Sequence, residues 1–132
     1  MGGITSKGIY GLSAMYELSL SNGSPMQIKT VAQRANVPQN YLEQLLPLLR
    51  KAGLLTSFRG ASGGYSLAKN AKEITVLEII ETLEGDFCIS SLQDNHDVLN
   101  LFWQERQNKI NELFKISLYE LQEYRQNFTY TI

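Results

Sequence analysis

Apolar residues recur at helical spacing along most of this chain. Ile9, Leu12, Met15, Tyr16 and Leu20 mark a first helix over residues 7–20, preceded by the N-cap types Thr5 and Ser6. Gly8 and Gly11 each weaken that helix by up to ~1 kcal/mol unless something packs closely against them. The run Ser21-Asn22-Gly23-Ser24-Pro25 ends it. A short helix is predicted over residues 28–35, with Val31 and Ala32 inward, before a break at Asn36-Val37-Pro38. A third helix follows from about residue 39 to 52. Leu42, Leu45, Leu46 and Leu49 form one apolar stripe at i, i+3, i+4 and i+7, leaving Gln39, Asn40, Glu43, Gln44 and Arg50 largely outside it. Pro47 removes a helical hydrogen bond and crowds the Glu43 carbonyl, so a bend is expected there. Gly53 suits the C-cap.

The period then changes. Residues 54–59 and 65–67 read as short strands flanking Gly60-Ala61-Ser62-Gly63-Gly64, a β-hairpin carrying Arg59. Thr75-Val76-Leu77-Glu78 is a capping box opening a helix that ends near Gly85. Residues 86–96 form a linker. A long amphipathic helix is predicted over 97–115, with Leu99, Phe102, Trp103, Ile110, Leu113 and Phe114 on its apolar side. Ser117-Leu118-Tyr119-Glu120 is a second capping box, starting a short last helix, and residues 127–132 look extended. The fold class is mainly α with a small β-hairpin: a winged helix-turn-helix DNA-binding domain over 1–85, the linker, and a long dimerisation helix with its tail over 97–132.

The chain has 132 residues and a formal net charge of −1. That length suits one domain with an assembly arm. The near-neutral total conceals a division. Residues 1–72 carry eight basic against two acidic residues, a net +6, and residues 73–132 carry four against eleven, a net −7. A basic half joined to an acidic half suggests one face that meets a polyanion and another that avoids it. No apolar run approaches the ~18 residues of a membrane helix. No charged segment followed by an apolar run opens the chain, so a signal peptide is not expected. One cysteine, Cys88, rules out an internal disulfide framework and fits the reducing cytoplasm.

A recognition helix needs side chains that reach base edges from its first turns, with cations nearby for phosphates. Gln39, Asn40, Tyr41, Glu43 and Gln44 supply that mix. Gln and Asn can make bidentate contacts to adenine, and Glu can accept from the cytosine amino group. Lys29 and Arg50 are candidate phosphate contacts. A glycine-rich wing lets backbone approach DNA and directs Arg59 and Gly60 toward the minor groove or a phosphate. A long helix with an aromatic-rich face is poorly covered by one small domain. Pairing with a second copy buries it and gives the two-fold symmetry of palindromic operators. Catalytic constellations are missing: His96 is the only histidine, Cys88 the only thiol, and the glycines match no nucleotide-binding pattern. No enzyme activity, cofactor or metal is expected.

Several motifs together resemble one family. Thr5-Ser6-Lys7-Gly8-Ile9-Tyr10-Gly11-Leu12 is similar to the opening of the bacterial Rrf2 regulators. Tyr41-Leu42-Glu43-Gln44-Leu45 with residues 49–54 looks like their recognition helix. Residues 59–68 look like their wing, and Ile74-Thr75 through Leu83-Glu84-Gly85 like the next helix. The resemblance is strong over residues 4–85 and weaker through Leu121. It implies a homodimeric winged-helix transcription regulator, usually a repressor, that touches DNA through Thr5, Ser6 and Lys7, the recognition helix and the wing, with Tyr41 serving a phosphate.

The sensor segment departs from the family. Iron–sulfur members carry three closely spaced cysteines where this chain reads from Asp86 to His96 with Cys88 alone. Thiolates are the usual ligands of such clusters, so too few remain. Cys88 is expected to be a partly buried, inert thiol rather than a redox sensor. The missing cysteines, the proline in the recognition helix and a tail ending in Ile resemble the branch that represses cysteine metabolism genes. By that resemblance Tyr130, Thr131 and Ile132 form a partner-binding tail, whose terminal carboxylate docks into O-acetylserine sulfhydrylase. Other readings are an iron–sulfur or thiol redox regulator and a winged-helix protein-interaction adaptor.

Overall fold

A computed structural model describes residues 3–86, 88–89 and 96–131, with the backbone alone for 128–131. Among these residues six α-helices and one two-stranded antiparallel sheet run in the order α1 (Ser6–Ser19), α2 (Ile28–Ala35), α3 (Gln39–Lys51), β1 (Leu55–Phe58), β2 (Gly64–Leu67), α4 (Val76–Glu84), α5 (Asp97–Leu113) and α6 (Leu118–Thr131). A 3-10 turn, Ala71–Glu73, precedes α4.

The leucine stripe of α3 is the centre of the core. Leu42, Leu45, Leu46 and Leu49 are all buried, together with Met15 and Leu18 of α1, Val31 of α2 and Ile79 of α4. Each fully buried Leu or Ile contributes roughly 1.5–3 kcal/mol relative to exposure, which outweighs the missing hydrogen bond at Pro47. α3 therefore runs unbroken through Pro47. Its predecessor ends at Asn36, held in the left-handed region at φ 56°, and this reversal sets the turn between α2 and α3.

Gly8 and Gly11 have the close neighbours their cost in helix propensity requires. A Cβ on Gly8 would lie 2.8 Å from Glu84 Oε2 and 3.2 Å from Ile80 Cδ1, and one on Gly11 would collide with Leu83 Cδ1. Their hydrogens let α4 lie directly on α1. The glycines of the hairpin behave similarly. Met26 and Tyr65 exchange two backbone hydrogen bonds, 2.8 and 2.9 Å, adding a short bridge beside β2. Gly64 sits at φ 141°, where a Cβ would strike the Met26 carbonyl.

The C-terminal part returns to this core. Val76 N donates to Ile116 O and Leu118 N to Ile74 O, at 2.8 and 2.9 Å. Leu118 is fully buried in the same cluster as α1 and α3. Both capping boxes form. Thr75 and Glu78 cap α4 reciprocally, and Ser117 N donates to Glu120 Oε2 while Glu120 N donates to Ser117 Oγ, both at 3.1 Å.

Two expectations are corrected. The last helix is 14 residues long and continues to Thr131, so the segment from 127 to 131 is helical rather than extended. Nothing in that segment breaks a helix: it lacks Gly and Pro, and alternation of Phe128, Tyr130 and Ile132 alone does not make a strand without a partner strand. Cys88 is exposed rather than partly buried, as are Gly85 and Asp86 before it.

Candidate nucleic-acid interface

Three elements carry the residues singled out for DNA. The N-terminal end of α1 is the first. Thr5 caps it, its hydroxyl oxygen accepting from Lys7 N at 3.3 Å. The Thr5 hydroxyl also donates to the Glu84 carboxylate at 2.7 Å, and the Thr5 and Gly8 amides donate to Glu84 Oε2 at 2.6 and 3.0 Å. Ser6 and Lys7 remain exposed. Loss of hydration alone would raise the Glu84 pKa. The bonds from Thr5 and Gly8 and the charge of Lys7 outweigh it and hold the carboxyl below its ordinary range.

The helix pair α2–α3 is the second. Gln39, Asn40, Glu43 and Gln44 are all exposed and lie on one side of α3, opposite the buried leucines. Gln39 Nε2 points at Glu43 Oε1 over a long 3.4 Å, which leaves both side chains adaptable. Tyr41 is half-buried, its ring packed edge-on against Tyr10. No side chain caps the first turn of either helix, and neither first turn holds an acidic residue. Their uncapped N–H groups suit an anion. Lys29 in the first turn of α2 and Arg50 in the last turn of α3 are exposed cations.

The hairpin is the third. Phe58 pairs with Gly64, which leaves Arg59 and Gly60 in the connecting turn. Both are exposed, and Gly60, at φ 100°, has open space around it. Gly63 and Gly64 serve a different purpose from the close approach to DNA that a glycine-rich tip suggests. They make room for the Phe58 and Met26 carbonyls inside the protein. Gln27 Nε2 donates to Ala61 O at 3.0 Å and ties the wing turn to the start of α2.

The long helix α5 has no buried residue. Leu99, Phe102, Trp103 and Leu113 are exposed, Leu113 to 76%. Ile110 and Phe114 are half-buried. Val98 and Leu101 are also exposed, at 68% and 57%, and were outside the single-stripe reading. Of the tail residues, Tyr130 and Thr131 are described by backbone only and Ile132 lies outside the described residues. Glu84 was also missed: its partners lie 76 and 79 positions away, and no local pattern announces them.

A trihelical core with α2–turn–α3, followed by a two-stranded wing, defines a winged helix-turn-helix protein. The pattern of the Rrf2 family, described as an iron-dependent transcriptional regulator, matches residues 4–124, and the chain belongs to that family. It is 39% identical over 112 residues to the HTH-type transcriptional regulator CymR of Bacillus subtilis, covering 83% of this chain and 81% of that one. It is 35% identical over 127 residues to the HTH-type transcriptional regulator IscR of Photorhabdus laumondii, covering 89% and 77%. The solved structure of CymR, described as the global cysteine regulator of B. subtilis, superposes with a TM-score of 0.82 at 38% identity, covering 94% of this chain and 98% of that one. The chain is thus a DNA-binding transcription regulator near CymR.

The iron in the family description does not find a site in the described residues. Among them no three His, Cys, Asp or Glu side chains gather as ligands, and the chain holds one cysteine and one histidine. An iron–sulfur cluster needs more thiolates than that. Among the described residues no helix is long and apolar enough to cross a membrane.

Proposed function

We propose that this chain is a homodimeric, sequence-specific repressor that reads a palindromic operator. One observation carries the reading: Gln39, Asn40, Glu43 and Gln44 stand together on the solvent side of α3, backed by a rigid leucine stripe. Rigid backing lets a helix hold base-reading groups in register. Gln39, Asn40, Glu43 and Gln44 meet base edges in the major groove. Ser6, Lys7, Lys29, Tyr41 and Arg50 meet the phosphate backbone, with Thr5 held beside them by Glu84, and Arg59 with Gly60 follows the adjoining groove. Residues 1–85 read DNA. Residues 97–132 supply the dimer helix and the tail, with Leu118 returning to the core. The exposed faces of two α5 helices, centred on Leu99, Phe102 and Trp103, cover one another.

Binding to duplexes enriched from its own genome, measured across salt, tests this. Selective binding that falls steeply with salt is expected. Salt-insensitive or unselective binding would favour the protein-interaction adaptor. Leu99→Asp should give monomers by sedimentation and lose operator affinity; a dimeric, fully binding variant would remove α5 from the interface.

The likeness to CymR supports regulation of cysteine and sulfur metabolism genes. Within that reading the tail engages O-acetylserine sulfhydrylase. Because the helix continues to Thr131, an extended docking pose requires its last turn to unwind. A pull-down with the sulfhydrylase, abolished by deleting Ile132, is expected, and no capture by the intact chain would discard this partner. A second reading, a thiol-sensing regulator, is favoured by the exposure of Cys88. Operator affinity that changes on mild oxidation, and stays constant in Cys88→Ser, would support it.

A further inference from the structure

Glu84 ends α4, directly before Gly85 and the linker, yet its carboxylate is spent on the far end of the sequence. Three donors at the start of α1 converge on it: the Thr5 amide, the Thr5 hydroxyl and the Gly8 amide, at 2.6, 2.7 and 3.0 Å. The contact is built into the backbone packing. A side chain at Gly8 would meet Glu84 itself, and one at Gly11 would push Leu83, the residue before it, away. The Glu84 carboxylate meets the N-terminal edge of the candidate interface through hydrogen bonds from Thr5 and Gly8 and the nearby charge of Lys7.

We propose that Glu84 is a positioning residue for DNA recognition: by gripping Thr5 and Gly8 it sets where α1 presents Ser6 and Lys7 to the duplex, and it joins that presentation to the C-terminal end of α4. The inference rests on the operator-reading function above. It makes the C-terminal end of α4 mechanically continuous with one edge of the DNA-binding surface.

Charge and geometry give opposite expectations here. A carboxylate beside Lys7 repels phosphates, so electrostatics alone makes its removal strengthen DNA binding. Loss of the grip weakens binding to the operator instead. Glu84→Ala and Glu84→Gln remove the same charge but differ in geometry. The Gln side chain keeps an acceptor oxygen for the two amides, and its NH2 can donate to the Thr5 hydroxyl oxygen.

The test uses the full chain and the duplex that the wild type enriches from a random library, with a scrambled duplex as reference. Affinities are read by fluorescence anisotropy at a temperature where circular dichroism shows every variant folded. Because Ser6 and Lys7 meet phosphates, Glu84→Ala is expected to lose about tenfold on both duplexes and to lower the salt slope by about 1. Glu84→Gln is expected to return to within about threefold of the wild type. Unchanged or tighter binding by Glu84→Ala, a loss confined to the enriched duplex, an unchanged salt slope, or a Glu84→Gln as weak as Glu84→Ala would each overturn the proposal. If Glu84→Ala does not fold, Glu84→Asp replaces it, keeping the charge while withdrawing the carboxylate by one methylene. The same loss on both duplexes is then expected, and wild-type affinity overturns the proposal. A wild type that enriches no sequence would remove the operator-reading function itself, and this inference with it.

Discussion

Tyr10 meets Tyr41 edge-on, with ring centroids 5.1 Å apart and planes at 87°. The first belongs to α1 and the second to the opening turn of α3, so an aromatic pair fixes the entry of the recognition helix against the N-terminal helix. Such pairs contribute about 0.5–1.5 kcal/mol beyond their burial. Tyr10→Leu should therefore lower unfolding stability by about 1 kcal/mol in urea titration. Tyr41→Phe keeps the ring contact and removes only the hydroxyl. Its stability should stay within about 0.5 kcal/mol of the wild type, while affinity falls by a similar factor for all DNA sequences. A sequence-selective loss would make Tyr41 a base reader instead of a phosphate contact.

Arg59 and Glu43 should fail in different ways. Arg59 stands exposed in the wing turn, and Arg59→Ala should weaken operator binding by ~1–3 kcal/mol if it reads a base or a narrow groove. Its salt slope should fall by about 1 if it meets a phosphate. Unchanged affinity in a folded variant would take Arg59 off the interface. Glu43 is an acceptor facing a polyanion, so its carboxylate discriminates more than it attracts. Glu43→Ala should broaden the set of sequences enriched from a random library while changing affinity for the best one little.

Gly11 is the tightest point between α1 and α4, where a Cβ collides with Leu83. Helix propensity alone would make Gly11→Ala stabilising by up to ~1 kcal/mol. Overpacking costs about 1–3 kcal/mol and should win. The midpoint of denaturant unfolding should therefore fall. A rise would mean that α4 moves aside freely, and the close approach would then be incidental.

The Glu84 carboxyl is held below its ordinary range, so its ionised form is the one favoured by folding. The contribution is fully present above the unfolded carboxylate value of about 4.3 and is lost as pH falls through the lower folded value. The difference in melting temperature between the wild type and Glu84→Ala should be constant from about pH 7 to pH 5 and shrink below that. A difference that persists unchanged to about pH 3 would show that the ionised carboxylate is not what holds α1.

Local signals carried far in this chain. The boundaries of the first five helices, both capping boxes, the stripe of Leu42, Leu45, Leu46 and Leu49, and the wing follow from spacing and from residues within a few positions of one another. Each rests on interactions that repeat along a helix turn or across a tight hairpin, so a linear reading captures them. The charge division between residues 1–72 and 73–132 is legible for the same reason.

Other features depended on what meets what in space. The sequence shows that Gly8 and Gly11 need a close neighbour, but only the packed α4 supplies Leu83 and Glu84. The hairpin glycines look like a tip for DNA, yet Gly63 and Gly64 make room for carbonyls of Phe58 and Met26. Leu118 reads as the start of an appended helix and is instead a core residue. The exposure of Val98 and Leu101 becomes visible only once α5 is seen to bury nothing. The reason is common to all four. Short-range periodicity specifies which side of an element is apolar, whereas the partner that covers it comes from chain positions far away, chosen by packing and by hydrogen bonds that no local pattern encodes.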